Sequence, residues 1–522
     1  MTILKNKFWN GFLFAVIITV IYFCTRLQNI TAIPVFGDEA IYVRWSQVIK
    51  SVETLRFVPV SDGKQPLYMW SLAVLLKFFN DPLVAGRVLS VFAGFGTIIS
   101  LFFASVFITN YSNKSQNIKS FVLDSIKNSH GLGLLSAFIY TMLPFAFFFD
   151  RMALPDNLLS FFGVTSFVFT ILLSKFKRLD LAMILGIVLG LSWLTKSPAI
   201  YFITLSFATY LIFNWRDVKS YIYPLVSTFF SFAIYNILRL GPQFNVIAQR
   251  NKDYVWSVQE ILKHPLDPLV PHIRDVFSIY SQYISVPVLL MSIFFFFIFL
   301  YKKVDVKKKA LHLEYIVILA WWFLPLLANA IIAKVFTARY ILFTLPPLII
   351  LISLGLNSFV KNTYSVFKNS FSQYFIIVIA FAFNIFWMWS ISRMPMNKSL
   401  PSTEQGYISD WTSGWGIKEA SEFFKERAKE ANVIVGTEGY FGTLPDGLQI
   451  YTNQVPQLTV FGVGLGFTTI PDKLIDAKNH GDEVYILINK SRLSLVPDEL
   501  KKVQILKEYQ KPYNDKLLLI KL

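Results

Sequence analysis

Apolar runs of about twenty residues recur along this chain, parted by short polar connections. A membrane-crossing helix needs about 20 mostly apolar residues. Eleven segments meet that need, beginning near Phe8, Leu83, Leu132, Asn157, Leu179, Pro198, Tyr221, Ile284, Tyr315, Tyr340 and Tyr374. Three polar stretches are longer, at about 29–82, about 239–283 and 394–522. The first holds a predicted helix from Asp38 to Lys50 and a shorter apolar one from Pro66 to Phe79, suited to lie in the membrane interface. Past Met394 the pattern changes. A helical period over Ile417 to Ala431 precedes a strand-like run, Asn432 to Gly436, and others follow at Gln457–Phe461, Glu483–Asn489 and Lys516–Lys521. Strands alternating with helices predict a small α/β domain over 394–522, after a transmembrane module over 1–393. Gly462-x-Gly464-x-Gly466 lacks the dinucleotide-binding spacing and predicts a turn. There is no period of 20–50 residues, and there are no inverted halves.

Composition supports the membrane reading. The chain is 54% hydrophobic and 16% charged, with 52 Phe, against about 25% charged in ordinary globular domains. The predicted class is a polytopic α-helical membrane protein. The net charge of +17 is explained by where it lies. Basic residues recur on alternate connections: Lys5 and Lys7; Lys114, Lys119 and Lys127; Lys175, Lys177 and Arg178; Arg216 and Lys219; Lys302 to Lys309; Lys361 and Lys368. Such residues collect on the cytoplasmic side. This places the N-terminus inside and, with eleven spans, the C-terminal domain outside. It implies no nucleic-acid partner. The single cysteine, Cys24, rules out a disulfide within the chain. Lys5, Lys7 and the apolar run that follows look like a signal peptide, but no small-residue cleavage site comes after it. It reads as an uncleaved first span.

With this topology, charged clusters gather at span ends on the outer face. Asp38 and Glu39 follow the first span in Phe36-Gly37-Asp38-Glu39-Ala40-Ile41-Tyr42. A carboxylate at a low-dielectric boundary can act as a general base toward a hydroxyl; the same pair would also cap the helix starting there. Asp150, Arg151 and Asp156 occupy the turn between the third and fourth spans, where Asp156 fits a cap equally well. Lys196, in Leu194-Thr195-Lys196-Ser197-Pro198, stands between two apolar helices, to snorkel or to hold a phosphate. Arg339, in Ala338-Arg339-Tyr340, can grip a phosphate bidentately or anchor the interface. Lys64 in the first loop and Arg87 at the outer end of the second span could meet a lipid phosphate. Acids can activate an acceptor, and cations can stabilise a departing phosphate. That layout points to an enzyme with a lipid-phosphate donor. The alternative, a lipid-linked-sugar translocase or other transporter, would place its ionisable groups mid-membrane on broken helices.

These motifs resemble the GT-C membrane glycosyltransferases, and within them the branch of the protein O-mannosyltransferases and the lipid A aminoarabinose transferase. The resemblance covers about residues 8–350. It rests on Asp38-Glu39, Lys64-x-Pro66-Leu67-Tyr68, Leu154-Pro155-Asp156, Leu194-Thr195-Lys196, and Ala338-Arg339-Tyr340 followed by Leu345-Pro346-Pro347. It implies a sugar carried on polyprenyl phosphate and moved, with inversion and no covalent intermediate, to an envelope lipid, glycan or protein at the outer face. It implies that Asp38 takes the acceptor's proton or orients its hydroxyl, with Glu39 in support and Asp156 as a second acidic position. Lys64, Lys196 and Arg339 would bind the donor phosphate, with Arg87 as a further candidate. Tyr42, Tyr68, Asp150 and Arg151 are candidates for sugar or acceptor. Ser197 stands where relatives commonly carry Gly, and the C-terminal region matches no known acceptor module. Some relatives hold a divalent metal, for which His264 and His272 are the ligands this chain offers. Trp411 and Trp415 either stack on a glycan or pack under the C-terminal domain.

Overall fold

The computed structural model describes residues 2–57, 63–115, 117–241, 243–264, 266–290, 293–294, 313–367, 370–465, 469–495 and 505–522. Among them, seven helices are long and apolar enough to cross a membrane, or eight if a bent pair counts as one span. The expected eleven is not reached by that measure. Leu179–Thr195 is apolar but has only 17 residues. The span expected from Ile284 runs largely into residues outside the described ones, as do Lys302 to Lys309. Helix Ser370–Arg393 covers the last expected span.

The local chemistry of several boundaries is plain. Helix α1, Thr2–Leu27, is followed by α2, Gly37–Ser51, whose Glu39 carboxylate accepts the Phe36 N–H at 3.0 Å and so closes its first turn. The short α3, Leu67–Leu75, ends before the expected Phe79. Helix α4, Pro82–Thr109, starts with proline after Asp81, which accepts the Leu83 and Val84 N–H groups. Helices α5, Ile118–Met142, and α6, Pro144–Asp150, meet at 67°, where Pro144 cannot continue the ladder. Helix α7, Asp156–Phe176, then returns across the bundle and ends on Lys177 in the left-handed conformation.

The two ends of the bundle differ in character. At one end, connections expected inside converge. Lys175 donates to the Tyr111 and Asn113 carbonyls at 2.5 and 2.8 Å, and Lys177 pairs with Asp217 at 2.7 Å. The turns bearing Asp38, Asp156, Lys196 and Arg339 lie at the other end.

The C-terminal sheet has strands β1 (Val433–Glu438), β2 (Leu458–Gly464), β3 (Glu483–Asn489), β4 (Ile505–Gln510) and β5 (Lys516–Lys521), in the order β2-β1-β3-β5-β4. β1 pairs in parallel with β2 and β3, while β5 is antiparallel to both β3 and β4. β4 was not expected, because this edge strand exposes nearly every side chain and so shows no two-residue period. Gly462 lies within β2, and the chain turns at Gly464, φ +89°.

The sheet region is docked on the bundle. Helix Asp446–Thr452 packs on α2, where the Gln47 side chain donates to the Ile450 carbonyl at 2.9 Å. Phe36 pairs with Ser413 as a β-bridge. The Gly37 N–H donates to the Thr412 carbonyl at 3.0 Å. A Cβ at Gly37 would stand 2.9 Å from the Thr443 hydroxyl, so the approach needs glycine.

Candidate functional site

Asp38 is the centre of the polar end. In the first turn of α2, its Oδ2 meets Arg339 Nη2 at 2.6 Å and its Oδ1 meets Lys64 Nζ at 3.2 Å. Burial works to raise this carboxyl, but Arg339 and Lys64 outweigh it and hold the group well below the usual carboxylate range. Arg339 comes from the 3₁₀ turn Ala338–Thr344, at the mouth of the Ala338–Ser358 span. Lys64 lies in the first loop, its ammonium 5.0 Å from the Tyr42 ring centre.

A second pair stands beside the first. Asp156, in the first turn of α7, accepts from Lys196 Nζ at 2.5 Å. The Lys196 ammonium sits 4.6 Å from the Tyr340 ring centre. Burial pushes this lysine down, with Asp156 pulling against it.

Apart from Asp156, which is buried behind Lys196, these groups open on a cavity of about 150 Å³ lined by Asp38, Tyr42, Lys64, Lys196, Arg339 and Tyr340, among others. Arg250, Asn251 and Tyr254 also line it, and sequence reasoning had not selected them. All three lie on helix Phe244–Tyr254 in the second loop, with Arg250 and Tyr254 one turn apart. Four cations and one carboxylate therefore line the cavity, an excess of positive charge that favours an anion.

Other expected residues lie elsewhere, away from the cavity. Glu39 and Arg87 form a pair buried at 0% exposure, at 2.7 and 2.9 Å. Glu39 also accepts the Ala153 N–H at 2.6 Å, while Arg87 donates to the Ile30, Ile33 and Pro34 carbonyls. Neither lines the cavity. Asp150 is buried against Arg26 at 3.3 Å and Tyr140 at 3.0 Å. Arg151 ties the end of α1 to Ser392, at 2.5 Å from its hydroxyl, and to the Gln28 carbonyl, at 3.0 Å. Tyr68 is buried, its hydroxyl on the Gly86 carbonyl at 2.8 Å.

Among the described residues, no group of three His, Cys, Asp or Glu side chains is placed to hold a metal ion. His264 and His272 share a neighbouring pocket with Glu260 and Asp267. His272 Nδ1, however, lies 2.8 Å from the Ala330 carbonyl, and its ring stacks on Phe336. Trp415 packs, its indole N–H on the Ile408 carbonyl at 2.6 Å. Trp411 carries the Arg492 guanidinium 3.9 Å from its ring centre.

Solved structures match this chain nearly end to end. ArnT from Cupriavidus metallidurans bound to undecaprenyl phosphate aligns with a TM-score of 0.56 at 12% identity, over 97% of this chain and 97% of that one. The same protein in the apo state gives 0.57 at 13%, over 99% and 98%. The oligosaccharyltransferase of Archaeoglobus fulgidus, solved with a tethered acceptor peptide, gives 0.51 at 10%, over 99% of this chain and 76% of that one. No family model matches the chain, and no curated protein matches it by sequence. The chain thus shares its fold with these ArnT structures, the GT-C fold that its motifs had led us to expect.

Proposed function

We propose that this protein is an inverting glycosyltransferase that moves a sugar from a polyprenyl-phosphate donor to an envelope lipid, glycan or protein at the outer membrane face. The observation that carries this reading is the cavity in which Lys64, Lys196, Arg250 and Arg339 surround the single carboxylate of Asp38. A phosphate diester bound there meets concentrated positive charge. As the bond between the anomeric carbon and the phosphate oxygen breaks, the leaving phosphate gains a further charge, which the same cations stabilise. The acceptor hydroxyl attacks the anomeric carbon from the opposite face and gives its proton to Asp38.

The low pKa of free Asp38 fits this sequence of events. Arg339 and Lys64 hold its charge until a phosphate draws on the same cations. The carboxylate then gains basicity as the donor settles. Glu39 and Arg87 act behind it, fixing the turn that aims Asp38.

The apolar groove beside the cavity suits the polyprenyl chain. It is lined by Phe277, Tyr280, Trp322, Leu326 and Ala330, on helices Leu269–Tyr280 and Leu313–Ile332. Asn329 and Ile332 of the second helix line the polar cavity itself. The N-terminus is placed inside and the sheet region outside, as the basic connections at the far end of the bundle support.

The test is transfer in proteoliposomes, with radiolabelled polyprenyl-phosphate sugars and total envelope extract as acceptor. Label appearing in a glycosidic product is the expected result. Donor lipid crossing the bilayer with no product from any sugar would overturn the reading in favour of a translocase.

A further inference from the structure

The segment leading from the last helix into the sheet holds the backbone next to each member of the Asp38–Arg339 pair. Its 3₁₀ helix, Ser402–Tyr407, carries Glu404, whose carboxylate is buried at 0% exposure. Glu404 Oε1 accepts the Ala338 N–H at 2.8 Å and the Thr403 hydroxyl at 3.2 Å. Ala338 opens the 3₁₀ helix that bears Arg339, and Thr337 before it offers no side-chain cap. Glu404 thus supplies from a distant part of the chain what an N-cap residue supplies locally, an oxygen for an orphaned N–H.

The same segment holds the other partner. Thr412 accepts the Gly37 N–H through its carbonyl, and its hydroxyl donates to the Gly406 carbonyl at 2.8 Å. Tyr407 packs on Phe36 with ring centres 4.2 Å apart. Residues 402–413 therefore fix the backbone beside Asp38 and the backbone beside Arg339.

A carboxylate is a costly way to anchor one N–H. Burial pushes Glu404 up to about 7, against the pull of the Ala338 N–H and the Arg339 charge. A neutral side chain would cap the turn without that cost. Glu404 Oε2 and Arg339 Nε are both buried without a hydrogen-bond partner, so neither group is committed elsewhere through these atoms.

We propose that Glu404 is a positioning residue for the donor site: by holding Ala338 it sets Arg339 against Asp38, and so fixes the spacing between a phosphate-binding cation and the catalytic carboxylate. This rests on the donor reading above.

The experiment is equilibrium binding of radiolabelled undecaprenyl phosphate to the purified full-length protein. Glu404→Ala should weaken binding about tenfold, the upper end of what one hydrogen bond to a backbone N–H is worth. Glu404→Gln keeps an oxygen for the Ala338 N–H and should stay within about threefold of wild type. Ala338→Pro removes the N–H at a first helical position that follows an extended residue, Thr337 at φ −138° and ψ 159°, where proline fits. It should match Glu404→Ala, and combining the two should add nothing. If Glu404→Ala does not fold, as judged by melting and gel filtration, Ala338→Pro against Glu404→Gln carries the comparison. Wild-type binding by both Glu404→Ala and Ala338→Pro, or equal weakening in the Gln and Ala variants, would overturn the inference and leave the donor reading intact. No binding by the wild type would overturn both.

Discussion

Glu39→Gln separates structural work from chemistry at this site. The Glu39 carboxylate accepts from Arg87 at two atoms, from the Ala153 N–H and from the Phe36 N–H, with no exposure to solvent. The substitution removes the charge and leaves the Arg87 guanidinium buried among neutral oxygens, with no counter-charge. Breaking a buried pair from one side costs about 3–5 kcal/mol, because the remaining charge is uncompensated. That is roughly two to four orders of magnitude in the folded-to-unfolded ratio. The assay is thermal unfolding in detergent, followed by tryptophan fluorescence and gel filtration. Glu39→Gln should unfold well below wild type, whereas Asp38→Asn, at a half-exposed cavity wall, should unfold close to it. The double variant Glu39→Gln/Arg87→Met should recover part of the loss, since no buried charge remains. A Glu39→Gln protein that melts within a degree of wild type yet transfers no sugar would refute the reasoning and return Glu39 to the chemistry.

Three further outcomes follow from the same geometry. Lys196→Ala and Arg250→Ala should each raise the dissociation constant for undecaprenyl phosphate about 10- to 150-fold, as lost hydrogen bonds to a charged group do, measured at fixed salt. Glu404, raised from its ordinary 4.5 to about 7, binds its proton more tightly in the folded protein. Stability should therefore fall as pH rises from about 4.5 to about 7, by about 3 kcal/mol from this group, and melting profiles of Glu404→Gln should show a flatter slope over that range. Arg151→Ala should lower the melting midpoint without changing undecaprenyl phosphate binding, because Arg151 joins the end of α1 to Ser392 away from the cavity.

Much of the site was legible because the membrane pattern assigns sides. Asp38, Asp156, Lys196 and Arg339 each occupy a span end on one face, and they meet there. What local sequence does not carry is direction. Asp38 and Glu39 are adjacent, yet consecutive residues on a helix diverge by about 100°. Only one of them can face the cavity, and the other turns inward to Arg87, 48 residues away. Arg250 was missed because a cation in an exposed loop is ordinary. Its one signal was Tyr254 a turn further along the same helix. Glu404 reaches the site from beyond the last span, through a contact 66 residues long in sequence. β4 was missed for a different reason: an edge strand with little to bury has no hydrophobic period to read.

The central claim is that Asp38 activates the acceptor within a cationic donor site. Its most direct test is transfer from a radiolabelled polyprenyl-phosphate sugar in proteoliposomes, wild type against Asp38→Asn, with undecaprenyl phosphate binding measured on the same preparations. The account predicts that Asp38→Asn binds the lipid phosphate at least as tightly as wild type, since Arg339 and Lys64 are released to it, and forms no product. Near-wild-type transfer by Asp38→Asn would contradict it.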